Sequence, residues 1–228
     1  MIHKPVILGI LGAIIGLEGY KKSEELPEYY KILKNIPIGI EPVGDEKGVF
    51  PKTVITYNNT TGLASNEAGG NLIVTEQSLI KPSYKIYFLL DLKNEDQITI
   101  YNNIKNQRAE YLPYMGKNDY SLWWNKDEVE EYEWEVFVRA SNFTISTIFK
   151  KNTSIIEHVV KSIGRIALAE QREYFYCFER LPISFNENLF QYNMADFVYT
   201  NATLVEGVEI SSNNLYKLKG RQEVVFLY

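Results

Sequence analysis

Apolar positions recur with two different periods along this chain of 228 residues, and the period predicts where helices and strands lie. Helical spacing predicts four helices, over residues 5–20, 27–35, 94–111 and 154–166. Runs rich in β-branched and aromatic residues predict strands over residues 36–43, 49–57, 72–92 and 133–139 and in a tail after residue 172. We therefore expect an α+β fold.

The composition changes near Leu122, where a mixed first part gives way to a strand-rich second part. The pattern predicts a first domain over residues 1–122 and a smaller β-rich domain over residues 123–228. The capping boxes Asn94 to Gln97 and Ser154 to Glu157 predict where the two later helices begin.

The two strand-like runs at 49–57 and 72–92 predict a long β-hairpin of about residues 49–92. Its connecting loop contains small residues that form hydrogen bonds, and its candidate partner-binding positions are Asn58, Asn59, Thr60, Gly69, Gly70 and Asn71. A flexible polar tip on long arms is typical of a finger that binds a partner. The second arm contains Lys81 and Tyr84 on either side of Pro82-Ser83, where proline interrupts strand pairing and directs its neighbours outward.

A second candidate motif follows the third predicted helix. In the sequence Pro-Tyr-Met-Gly-Lys-Asn-Asp over residues 113–119, Lys117 and Asn118 follow a glycine that relaxes the turn. A lysine and an amide at such a turn can bind phosphate groups or the edges of nucleobases.

The residue types exclude several classes of function. Two histidines, His3 and His158, and one cysteine, Cys177, lie far apart in the sequence and predict neither a metal site nor a disulfide. Phosphate-binding glycine loops, the dinucleotide fingerprint and the serine-hydrolase elbow are absent from the sequence. We expect no cofactor.

Metal-free RNA cleavage remains the enzymatic alternative. It requires a base for the ribose 2′-hydroxyl, an acid for the leaving oxygen and stabilisation of charge. The residues that could supply these groups are His3, Tyr57, Lys81, Tyr84 and Lys117. Their spacing specifies no catalytic group, and such residues near RNA more often bind phosphates or stack on bases.

The net charge of −5 is concentrated in one segment, residues 123–135, which holds six acids and one lysine. The rest of the chain sums to zero, and residues 213–221 hold three basic residues and no acid. The acidic segment is interpreted as a solvated loop and strand edge, or as a rim that faces a basic partner subunit.

The apolar run Val6–Leu17 is too short for a bilayer, which requires roughly 20 residues. It also lacks the small-residue cleavage pattern of a signal peptide. We expect a buried helix, no membrane association and a cytoplasmic protein, in which the five Asn-x-Ser/Thr sequons are incidental.

Several segments in order resemble the CRISPR-associated Cas-five family, the RAMP-type subunit of type I Cascade complexes, and most closely its type I-B members. They are KPVILGILGAIIGLEGY, YYKILKNIPIGIEP, NNTTG, GGNLIVTEQSLIKPSYKIYF, LPYMGKNDY, FERLP and FVYT, and they extend from residue 4 to about residue 200. The resemblance implies a ferredoxin-like (RRM-type) domain that carries a β-hairpin thumb.

The resemblance also implies a function and its partners. The protein would bind the 5′ handle of crRNA and cap the backbone of Cas-seven-type subunits, next to a Cas-eight-type large subunit. The thumb residues named above would approach the handle, and Lys81, Tyr84, Lys117 and Asn118 would contact phosphates or bases. Lys4 would contact a phosphate near the N-terminus of the first helix. Some family members cleave repeat RNA themselves, so an endoribonuclease stays the alternative.

One departure from the family pattern concerns the start of the chain. Members of the family begin with a β-strand and a loop before the glycine-rich helix, whereas this chain begins at that helix. A sheet without its first strand would expose unpaired backbone groups. We therefore expect the native protein to have residues upstream of Met1.

Overall fold

The computed structural model describes residues 1–22, 24–44, 47–60, 62, 66, 68–138, 142–151, 174–205, 214–222 and 224–228. Its α-helices are α1 Lys4–Ile15, α2 Glu28–Leu33 and α3 Glu95–Lys105. Its strands are β1 Ile38–Val43, β2 Lys52–Asn58, β3 Ile73–Leu79, β4 Ser83–Phe88, β5 Trp134–Val136, β6 Asn142–Phe143, β7 Phe149–Lys150, β8 Tyr176–Asn186, β9 Gln191–Thr200, β10 Leu204–Val205, β11 Leu215–Leu218 and β12 Val224–Phe226. The α+β prediction is confirmed, whereas the predicted helix over 154–166 and His158 lie outside the described residues.

The sheets are small and antiparallel. β8 and β9 form the longest pair, and β7 joins the free side of β9. β11 pairs with β12 on one side and β5 on the other, and β10 pairs with β6. β2 pairs with β3, and β1 with β4. Contacts divide the chain into a larger unit, Met1–Glu41 with Ile86–Tyr228, and a smaller unit, Pro42–Lys85. The predicted boundary near residue 122 stays a prediction.

Helix α1 is the buried helix that the apolar run predicts, but it ends earlier, at Ile15. Gly16 adopts the left-handed conformation with φ +82°, which terminates the helix, and the Leu17 N–H donates to the Gly12 carbonyl at 2.9 Å. The helix packs against α2, α3 and β8. Its glycines permit this packing, because a Cβ on Gly12 would lie only 2.4 Å from the Cβ of Tyr29.

The core of the larger unit is organised around β12, whose three residues are all buried. Successive side chains of a strand point to opposite faces. Val224 and Phe226 therefore enter one apolar cluster, with phenylalanines from β6 and β7, while Val225 enters a second cluster with Tyr87 and Leu227. The chain beyond β12 bonds to β1, since Ile38 and Tyr228 exchange backbone hydrogen bonds of 3.0 Å in both directions.

The acidic and basic segments of the sequence meet where β5 pairs with β11. Glu133 forms an ion pair with Lys219, and Glu130 lies 3.7 Å from the Arg221 guanidinium. A third acid, Glu131, pairs with Lys105 at the end of α3. Within the described residues, at least three of the six acids of residues 123–135 therefore have a basic partner in this chain.

The smaller unit is dominated by the β2–β3 hairpin. Its seven pairs extend from Lys52 opposite Leu79 to Asn58 opposite Ile73. The hairpin is therefore shorter than the predicted 49–92, because β4 belongs to a different pair, with β1. Pro82 lacks an N–H and Lys81 has φ +46°, so strand pairing is interrupted between β3 and β4.

Two glycines of α1 offer a matched test of this packing. We expect Gly12→Ala to lower the free energy of unfolding by about 1–3 kcal/mol, because its Cβ would overlap Tyr29. Gly9→Ala places its Cβ 3.5 Å from the Tyr29 ring, an ordinary contact, so alanine should stabilise the helix by about 0.5–1 kcal/mol. Urea unfolding of both variants measures the difference, and equal stabilities would show that α2 does not approach α1 as described.

Candidate nucleic-acid interface

The tip of the β2–β3 hairpin is closed by one backbone and two side-chain hydrogen bonds. The Asn59 N–H donates to the Leu72 carbonyl at 2.8 Å, and the Thr60 N–H donates to Asn58 Oδ1 at 2.9 Å. The Leu72 N–H donates to Thr60 Oγ1. Asn58 and Asn59 are exposed at the end of β2, so the structure brings the first three predicted tip residues together.

The returning side of the tip contains the other predicted residues, Gly69, Gly70 and Asn71. Gly69 has φ +80°, a conformation that favours glycine, and Asn71 is exposed immediately before Leu72. Residues 61, 63–65 and 67 of the tip lie outside the described residues. The described part of the tip therefore presents backbone and amide groups rather than cations.

One face of the hairpin arms is exposed except at its base, where Leu79 is half-buried opposite Lys52. Its exposed residues are Lys52, Val54, Thr56 and Asn58 of β2 and Ile73, Thr75 and Gln77 of β3. Val54 and Ile73 are 63% and 67% exposed, and Thr56 and Thr75 form a hydroxyl pair at 3.1 Å. On the opposite face, β3 is half-buried at Val74, Glu76 and Ser78, whereas β2 is half-buried at Tyr57 and exposed at Thr53 and Ile55. A face with apolar, hydroxyl and amide groups can contact bases and sugars as well as a protein.

Lys81 and Tyr84 lie after the hairpin in the same unit. Lys81 is exposed at the turn between β3 and β4, in the left-handed conformation that is uncommon for residues with a side chain. Tyr84 is half-buried, and the edge of its ring packs against Phe50 with ring centroids 5.1 Å apart. Lys81 therefore presents its cation to solvent, whereas Tyr84 contributes to local packing.

Lys117 and Asn118 occupy the turn of a short two-stranded ladder in the larger unit. Tyr114 pairs with Ser121 in an antiparallel bridge, and Met115 N–H donates to the Tyr120 carbonyl at 2.8 Å. Gly116, with φ +95°, is the first residue of the turn. The Lys117 ammonium lies 3.3 Å from Asp119 and 5.1 Å from the centre of the Tyr120 ring, and Asn118 is exposed.

The two sides of this ladder differ in exposure. Along the sequence, buried or half-buried residues alternate with exposed ones, and the inward set is Pro113, Met115, Tyr120, Leu122 and Trp124. The outward set is Leu112, Tyr114, Ser121 and Trp123, with Trp123 80% and Leu112 73% exposed. Sequence reasoning missed this face. The residue types on either side of Gly116 do not alternate between polar and apolar, so the sequence carried no signal for it.

At the start of α1, Lys4 is buried and His3 is half-buried. The Lys4 ammonium donates to the Tyr228 carbonyl at 2.8 Å, and burial together with the nearby Lys150 charge lowers the pKa of Lys4 to about 8. Burial lowers the pKa of His3 to about 4, with a smaller effect from the N-terminal amine. This geometry does not support a phosphate contact by Lys4. The segment that leads to the Lys117 turn is bound at the other end of α1, where the Tyr111 N–H donates to the Ala13 carbonyl.

Among the described residues, no group of three or more histidine, cysteine, aspartate or glutamate side chains could hold a metal ion. No α-helix in the same part of the chain has the length and apolarity needed to span a membrane. Neither a scan of the sequence against models of protein families nor a search of curated proteins found a match.

The burial of Lys4 predicts a pH dependence of stability. Its folded pKa of about 8 is below the ordinary value of 10.5, so between these values the unfolded chain holds a proton that the folded chain has released. The free energy of unfolding should therefore rise from pH 8 to pH 10.5, by at most about 3 kcal/mol. Lys4→Met should abolish this rise in urea unfolding. If the variant and the wild type show the same pH dependence, the ammonium is solvated and Lys4 becomes available as a ligand.

Proposed function

We propose that this protein is a non-catalytic RNA-binding subunit of a type I CRISPR Cascade effector complex. It holds the 5′ handle of crRNA and caps one end of the Cas-seven-type backbone, next to a Cas-eight-type large subunit, in cytoplasmic antiviral defence. The observation that carries this proposal is the β2–β3 hairpin, which has one largely exposed face and a polar tip. The ordered resemblance to the Cas-five family supplies the identity of the RNA and of the partners.

The proposal includes a finer fold assignment. The α+β architecture with antiparallel sheets is compatible with a ferredoxin-like domain of the RRM type, and the hairpin corresponds to the thumb of that family. RRM-type domains bind single-stranded RNA on a sheet with aromatic residues. The thumb in this proposal is Lys52–Leu79 with its tip.

The residues take different roles in this proposal. Asn58, Asn59 and Asn71 bind bases or sugars of the handle through their amides, and Thr60 with the two tip glycines lets the backbone approach the RNA closely. Lys81 and Lys117 contact phosphates, and Asn118 contacts a base edge. Lys4 has no role in RNA binding because its ammonium is buried. Tyr84 positions the segment after Lys81 through its contact with Phe50.

The exposed apolar residues of the thumb require partners as well as RNA. Val54 and Ile73 would stay in water in an isolated chain, which is unfavourable by roughly 25 cal/mol for each Å² of apolar surface. In the proposed complex the neighbouring backbone subunit and the crRNA cover them. RNA binding by the isolated chain is therefore weak, and retention is strong in the assembled complex.

Replacement of the tip tests the proposal directly. Residues 60–71 are replaced by Asn-Gly, the residues of a tight hairpin turn, which keeps the pairing of Asn59 with Leu72. We expect the wild-type chain to co-purify with its neighbouring-gene products and with RNA that has an intact 5′ handle. The tip replacement should lose most of this RNA while the arms keep their register.

The control for this experiment is Lys31→Ala on α2, which removes only an exposed ion pair with Glu25. Wild-type complexes without RNA, or tip-replaced complexes with a full complement of RNA, would contradict the proposal. Incubation of the chain with repeat RNA in EDTA distinguishes the enzymatic alternative from the proposed non-catalytic role. Cleavage at one position under these conditions would establish an endoribonuclease instead.

Lys117 has its own signature in the salt dependence of binding. If its ammonium contacts one phosphate, Lys117→Ala should reduce the slope of log affinity against log salt by about 0.7, the value for single strands. Lys31→Ala has the same charge change away from the proposed interface and should leave the slope unchanged. Titration of crRNA at several salt concentrations measures both slopes, and an unchanged slope in Lys117→Ala removes Lys117 from the interface.

A further inference from the structure

The outward face of the ladder at residues 112–123 has an unusual composition for a solvent-exposed surface. Its register follows from two backbone bonds on either side of the Tyr114–Ser121 bridge, Met115 N–H to the Tyr120 carbonyl and Leu122 N–H to the Pro113 carbonyl. This register sets Leu112 opposite Trp123 and Tyr114 opposite Ser121. All four side chains lie on the same face, and all are exposed.

The arrangement of the two rings on this face suits a flat ligand. Tyr114 and Trp123 are diagonal neighbours across the ladder, and such positions lie roughly 7–8 Å apart. This is about twice the roughly 3.4 Å between successive units along one strand of a stacked duplex. Ser121, directly opposite Tyr114 and two residues before Trp123, adds a small side chain with a hydroxyl beside both rings. A nucleobase can therefore stack on one ring or enter between the two, with a polar group within reach of its edge.

The charge of the surrounding segment favours a polyanion. Residues 103–126 hold the basic residues Lys105, Arg108, Lys117 and Lys126 and the acids Glu110 and Asp119, a net charge of +2 in a chain of net charge −5. The six acids of the acidic segment lie at residues 127–135, directly after this stretch, and one of them, Glu131, is paired with Lys105. Lys117 at the turn of the same ladder supplies a cation for a phosphate.

We propose that the face formed by Tyr114, Ser121 and Trp123 is a base-stacking site for single-stranded RNA. Tyr114 and Trp123 stack on an unpaired base, Ser121 bonds to the base edge, and Lys117 contacts the adjoining phosphate. This inference rests on the proposed RNA-binding function and adds a second contact surface, in the larger unit, to the tip of the hairpin.

The test compares binding of a short oligouridine and of its abasic analogue to the full chain. Removal of one stacking ring by Trp123→Ala or Tyr114→Ala should weaken oligouridine binding about tenfold. It should leave the salt slope unchanged because no phosphate contact is lost. Neither variant should affect the abasic probe, and Trp123→Phe should keep most of the affinity because its ring still stacks.

Trp134→Ala is the matched control. This half-exposed indole lies on β5, packs on Tyr216 with ring centroids 5.3 Å apart and is not part of the ladder. It should bind both probes as the wild type does. A urea unfolding curve for each variant verifies that the folded state is intact.

The outcomes separate this inference from the proposed function. If both ring variants bind oligouridine as tightly as the wild type, the stacking site is wrong, whereas RNA retention through the hairpin tip is unaffected. If Trp123→Ala retains RNA but releases a protein from the purified complex, the face binds protein and the inference is overturned. If the ring variants lose base-dependent binding while the tip replacement loses nothing, the stacking site holds and the role of the hairpin fails. If neither the wild type nor any variant binds RNA, both the stacking site and the proposed function are contradicted.

Discussion

The hairpin of β2 and β3 is a two-stranded ribbon with one face open to solvent, and this constraint shapes the functional account. An isolated two-stranded hairpin is marginally stable in water, because it buries little apolar surface. The Thr56–Thr75 hydroxyl pair and the Asn58 and Thr60 bonds at the tip hold the ribbon together but leave Val54 and Ile73 exposed. Burial of Val54 and Ile73 against a partner would stabilise such a ribbon, and an assembly with RNA and neighbouring subunits is the function that we propose.

In the larger unit, by contrast, β12 is buried on both faces. Its residues enter two apolar clusters, and β11 and β5 continue the same sheet on one side of it. The pairing of β5 with β11 also brings the acidic segment against the basic segment, so that Glu130 and Glu133 meet Arg221 and Lys219. Exposed ion pairs of this kind contribute little to stability. Their consequence is electrostatic, because they reduce the repulsion that the acidic segment would exert on RNA.

Patterns within a short stretch of sequence predicted most of the elements. The predicted N-cap of α3 was correct, since Asn94 Oδ1 accepts the Gln97 N–H at 3.0 Å, although the Gln97 side chain accepts from the Asp91 N–H and not from Asn94. The alternation of the tail predicted β8, part of β9 and β12. Contacts between segments that are distant in the sequence could not be predicted in this way. The pairing of β4 with β1, the ion pairs between segments about 90 residues apart and the burial of Lys4 against Tyr228 depend on tertiary contacts. The same holds for the candidate site. The tip amides and Lys117 could be predicted from local turn chemistry, whereas the outward position of Trp123 depends on the register of the ladder.

The most direct test of the central claim is photochemical cross-linking of the crRNA in the purified native complex, followed by mass spectrometry of the cross-linked peptides. The account predicts cross-links from handle nucleotides to peptides that contain Asn58–Thr60 or Gly69–Asn71. Cross-links that fall elsewhere on this chain and never in the hairpin, or a complex in which this chain contacts no RNA, would contradict it.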